Sequence, residues 1–269
     1  MAKSTSETGH VKNLSVFNEM IAFVKTYKEY NPSTPALKVD ELVKKYEAAN
    51  LVLQQVNTTA AMLNETIRTR MLTYENVQQL GTSVVAMLES SDANKEMMKD
   101  AKGLNRKLRG QRAEKIDVVA EPAEGMTEED MIPANISVSQ QSYVKLAETL
   151  GLLRDLVAMH PGYQPNEAEL NVAGLTKFVD ELTGLNAKVA TEYAEVTARR
   201  NERDETFYKE ATGLKEVFDA VKKYVLGKYK SKSPEYKQLT KLQLKNLKKK
   251  PRTKKSSKPA KKSAAQVKK

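Results

Sequence analysis

An apolar residue at every third or fourth position, sustained for more than thirty residues and then sustained again 133 residues later, constrains this 269-residue chain more than any other feature. The first stripe is Leu42, Lys45, Ala49, Val52, Val56, Ala60, Leu63, Ile67, Arg70 and Tyr74; the second is Leu175, Phe178, Leu182, Leu185, Val189, Tyr193, Val196, Arg200, Arg203 and Phe207. Steps of three and four keep side chains on one helical face, so each stripe predicts one unbroken, coiled-coil-like helix with a stutter at Tyr193 in the second. At about 1.5 Å per residue such a helix is about 50 Å long, more than an ordinary globular helix.

The two stripes belong to a wider match in one register. Tyr30 and Pro32 fall on Tyr163 and Pro165, Leu37 on Leu170, Val39 on Val172, Leu42 on Leu175, Val56 on Val189, Ala61 on Ala194, Arg70 on Arg203 and Tyr74 on Phe207. After a short insertion, Ser91 to Lys95 resembles Ser233 to Lys237. A shared turn, shared apolar positions and a shared arginine predict an internal duplication.

Shorter amphipathic helices precede the stripes, over Leu14 to Tyr27 and Tyr143 to Met159. Pro32, Pro35, Pro161 and Pro165 mark the turns that follow, because proline removes a donor and turns the preceding residue away from helix. A third helix is predicted behind an N-cap at Thr212, with Val84, Val85 and Leu88 as its first-half counterpart, and a fourth from Asp92 and from Ser233-Pro234. The expected fold class is all-α: a tandem duplicated, antiparallel bundle of three to four helices per half. The expected domains are a disordered leader over 1–12, repeat 1 over 13–110, an acidic linker over 111–137, repeat 2 over 138–245 and a disordered Lys-rich tail over 246–269.

The stretch Arg203 to Phe207, Gly213-Leu214-Lys215, Val221 to Val225 and Ser233 to Lys237 resembles uncharacterised, internally duplicated all-helical bacterial proteins of the Bacteroidota type. That resemblance implies the fold and carries no activity.

Charge is divided between regions of opposite sign. Asn246 to Lys269 holds 11 Lys or Arg and no acid. These are Lys248, Lys249, Lys250, Arg252, Lys254, Lys255, Lys258, Lys261, Lys262, Lys268 and Lys269. Pro251, Pro259 and several Ser and Ala keep the lysines spaced, a composition similar to linker-histone tails. Runs of this kind bind polyanions, so the expected partner is nucleic acid, held without sequence preference because no aromatic follows Tyr236 to stack on bases. The segment 111–137 carries seven acids against Arg112 and Lys115. Its charge suits an autoinhibitory contact with the tail. The other reading is a scaffold whose helical faces bind a protein partner or a second copy while the tail tethers it to an anionic surface.

Catalysis finds no support in the residues. Cysteine is absent, only two histidines occur, and no glycine-rich phosphate loop is present. His10 falls in the polar leader, and His160, before Pro161, is expected to cap a helix carbonyl end. No enzyme, cofactor or metal is expected. With no stretch of about 18 apolar residues, a cytoplasmic location, cytosolic or nucleoid-associated, is the expectation. In the body, Arg70 and Arg203 stand out, since both fall on the apolar seam. A buried guanidinium needs a partner, so Glu65 or Glu75, and Glu202 or Glu205, are expected to pair with them, with an anion site as the alternative.

Overall fold

The computed structural model describes residues 9–111 and 141–247 and is helical throughout, without a strand among those residues. Eight helices follow one another: α1 (His10–Thr26), α2 (Val39–Glu75), α3 (Val77–Ser90), α4 (Lys95–Leu108), α5 (Tyr143–Ala158), α6 (Val172–Tyr208), α7 (Leu214–Tyr229) and α8 (Pro234–Lys241), with one 3-10 turn at Pro35–Leu37. Both stripes are single helices of 37 residues. The expected linker falls almost entirely outside the described residues.

Most predicted boundaries hold, and the exceptions have local causes. Ser233 caps α8 by accepting from the Tyr236 N–H at 3.1 Å, with Pro234 at the first helical position. For α4 the cap is Asn94, whose side chain accepts from Met97 N at 2.8 Å; Asp92 instead sits in the left-handed region at φ 58°. Gly213, not Thr212, precedes α7. It packs so closely on the end of α6 that a Cβ would lie 2.6 Å from Lys209 N.

The chain forms two compact units, and neither is a sequence half. One unit contains residues up to Val56 and from Arg199 onward; the other runs from Asn57 to Ala198. The expected domains 13–110 and 138–245 therefore do not describe the packing. The unit boundary falls inside both long helices, so each unit joins the opening of one half to the close of the other.

In the first unit α1 packs on α7 and α8, and the turn at Pro35–Leu37 lies against α7. Phe17, Met20, Leu42, Phe207, Leu214, Phe218 and Val221 form its core, each at 2% exposure or less. In the second unit α5 packs on α3 and α4. Leu150, Leu153, Leu175, Leu182, Val84, Leu88 and Leu108, all fully buried, form that core. The cores use the same register: Phe17 and Leu150, Met20 and Leu153, and Leu42 and Leu175 are pairs 133 residues apart. Tyr30 donates to the Leu37 carbonyl at 2.7 Å, and Tyr163 donates to the Leu170 carbonyl at the same distance. Each bond closes the proline turn onto the start of a long helix, and burial pushes the Tyr163 phenol up to about 12.

No helix in the described residues is long and apolar enough to cross a membrane.

Candidate functional site

The two seam arginines occupy matching positions and solve the same burial problem differently. Arg70, in the second unit, lays its guanidinium over the Tyr143 ring, 4.2 Å from the centroid. Its Nε is buried without a hydrogen-bond partner. Tyr143 in turn meets Tyr74 edge to face, at 4.7 Å between centroids, and Asn186 donates to the Tyr74 hydroxyl at 2.7 Å. Glu65, one expected partner, pairs with Arg68. An aromatic face thus replaces the carboxylate, as a cation can trade part of its hydration for a π-system.

Arg203, in the first unit, places Nε and Nη2 2.9 and 2.7 Å from the same oxygen of Asp204. The expected Glu202 is engaged by Arg199 at 3.0 Å. The position matching Tyr143 is His10. Far from lying in a disordered leader, His10 opens α1 and meets the buried Phe207 ring edge to face at 5.3 Å. Its Nε2 is 3.5 Å from Asp204 Oδ1, a charge contact too long to count as a good hydrogen bond. Burial, reinforced by the Arg203 charge, lowers its pKa, and Asp204 opposes the shift in part. Arg70 is covered by the Tyr143 ring and Arg203 is paired with Asp204.

His160 serves as expected. Its Nε2 lies 2.8 Å from the carbonyl of Ser91, the residue that ends α3. Among the described residues no group of three or more His, Asp or Glu side chains is arranged to hold a metal ion.

All the expected nucleic-acid ligands, from Lys248 to Lys269, lie outside the described residues. The structure does show what they follow. Residues 242–247 leave α8 as an extended strap over the first unit, with Leu242 and Leu244 buried at 7% exposure and Leu247 against the same core. Asn13, itself 3% exposed, accepts from Lys245 N at 3.1 Å and donates to Lys245 O at 2.7 Å. It also donates to the Tyr208 hydroxyl at 3.0 Å. The Lys222 ammonium donates to the Leu242 carbonyl and lies 4.7 Å from the Phe218 ring centroid. The Lys-rich run therefore starts one residue beyond a fixed point.

An open cavity is found in each unit. The cavity of the first unit, about 490 Å³, lies between the start of α2, the end of α6 and the α6–α7 turn, and includes Lys44, Lys45 and Lys209. That of the second unit, about 790 Å³, occupies the matching place and includes Asn76, Lys177 and Phe178. Sequence reading had one signal for the former, a lysine at position 45 inside an apolar stripe.

Compared with protein-family models, curated proteins and solved structures, the chain matches none of them.

Proposed function

We propose that this is a non-enzymatic protein that binds nucleic acid without sequence preference, at the nucleoid of the cytoplasm, through the Lys-rich run 248–269. The supporting observation is the charge of that run together with its attachment: 11 positive charges and no acid follow a strap bonded to the core through Asn13. An anchored start keeps the cations next to the folded body. Phosphates are met by many weak, equivalent contacts, a mode that needs no shaped groove. The strap also sets where the chain can be cut. Ending it after Leu244 would remove the Lys245 bonds to Asn13 and the Leu247 contact with the core, so the informative truncation ends at Leu247. Fluorescence anisotropy with labelled duplex DNA and RNA should show binding by the full chain and none by residues 1–247.

We further infer that the halves arose by duplication, since helices, core positions and turn hydrogen bonds recur at one offset.

Met62, Met71 and Leu72 on α2, each about half exposed, support a second reading, a scaffold that docks a protein partner or a further copy of itself. Retention of one saturable protein partner by residues 1–247 would favour it.

A further inference from the structure

Position 45 is where the two units part company. In the second unit its counterpart Phe178 packs against the core beside the cavity. In the first unit the same seam position holds Lys45, half-buried and lining the cavity, with no ion pair or hydrogen bond to the described residues. Burial lowers its pKa; of the two carboxylates in the same lining, Glu41 is taken by Lys44 and Glu205 makes no ion pair with Lys45. Lys44 pairs with Glu41 at 2.7 Å, whereas Lys209, in the same lining, makes no ion pair among the described residues. The Thr212 hydroxyl, also in the lining, has no partner among the described residues. Lys209 and Thr212 are carried by a turn that holds Ala211 at φ 64°, a conformation alanine disfavours. A half-buried cation without an ion pair among the described residues, a second cation in the same lining and a left-handed alanine in the adjoining turn are features of a binding site more than of a packing solution.

We propose that this cavity binds a small phosphate-bearing anion, held by the ammonium groups of Lys45 and Lys209 and the hydroxyl of Thr212. The volume of about 490 Å³ falls in the range of small-ligand sites, roughly 300–1,000 Å³. Apolar stems of the lysines and Ala48 leave the charge on the ligand as the main recognition element. The second unit lacks this chemistry. There Asn76 stands in place of Lys209 and Phe178 in place of Lys45, with Glu169 and Glu181 beside Lys177. The two cavities are thus matched in position and opposed in charge, and the second serves as an internal control.

The test is calorimetric titration of the full chain with inorganic pyrophosphate at near-physiological salt, for the unmodified protein and for Lys45→Met, Lys209→Met and Lys177→Met. The Lys-rich run is present in all four and contributes equally. The tightest pyrophosphate site should weaken about tenfold or more in Lys45→Met and in Lys209→Met, as expected for loss of a charge-assisted contact, and stay unchanged in Lys177→Met. Lys45→Met keeps the apolar stem, and without ligand it should melt at a higher temperature than the parent. Lys209 is exposed at the end of α6, so its replacement leaves the core intact. Equal affinity in the parent and both cavity variants, or the absence of any site tighter than the tail's weak binding, would overturn the proposal.

Discussion

Asn13 and Lys245 are 232 residues apart in sequence and joined by two hydrogen bonds, one in each direction, between a side-chain amide and a main-chain peptide. The amide replaces the partner strand that the extended segment 242–247 would otherwise need. Asn13→Ala would leave Lys245 N–H and C=O without their partners in a part-buried setting, where water can replace some of what is lost. The expected cost is about 0.5–1.5 kcal/mol. Urea unfolding should report it, and hydrogen exchange at Lys245 and its neighbours should accelerate, with helix content otherwise kept.

Arg70 and Tyr143 should be coupled. A double-mutant cycle with Arg70→Met and Tyr143→Leu is expected to give an interaction energy of about 0.5–2 kcal/mol, the range for a partly desolvated cation over an aromatic ring. Arg70→Met alone should cost little, because its Nε has no hydrogen bond to lose. A coupling indistinguishable from zero would mean the stacking contributes only contact area.

His10 gives the first unit a pH dependence of known sign. Its folded-state pKa lies below the ordinary 6.5, chiefly through burial. The unfolded chain therefore takes up the proton more readily, and the contribution is fully present above pH 6.5 and lost as pH falls through the lowered folded value. Stability measured by urea at pH 7.5 and 5.5 should drop at the lower pH, and His10→Phe should reduce that drop. Arg203 and Asp204 remain in the variant, so the difference isolates the imidazole.

Two glycines in α6 should respond in opposite directions. A Cβ on Gly174 would lie 1.8 Å from the Ala168 carbonyl oxygen, whereas one on Gly184 meets nothing within 4 Å. Gly174→Ala should destabilise by about 1–3 kcal/mol, since the turn before α6 must move. Gly184→Ala should stabilise by about 0.5–1 kcal/mol through helix propensity. Thermal melts of the two variants against the parent decide both.

Local chemistry was legible in the sequence where one helix or turn determines it. The two 37-residue helices follow from spacing alone, the proline turns from Pro32 and Pro165, and the α8 cap from Ser233-Pro234. Pairing between distant segments was not legible. Stripe periodicity says which face of α2 is apolar and is silent on which half supplies the helices around it, so the interleaved units emerged only in three dimensions. His10 falls in the expected leader because its partner Phe207 is 197 residues away, and Arg70 is expected to meet a carboxylate because Tyr143, though nearer, is still 73 residues away. Lys45 was visible as a charge inside an apolar stripe; its lack of a partner was not.

The central claim concerns the Lys-rich run, and the salt dependence of duplex DNA binding tests it most directly. If all 11 charges of the run meet phosphates, the logarithm of the association constant should fall against log salt with a slope of about −10. The account predicts such a steep slope for the full chain, the same affinity for unrelated sequences, and loss of binding in residues 1–247. A shallow slope, or affinity that survives removal of residues 248–269, would contradict it and place the nucleic-acid contacts, if any, on the helical body.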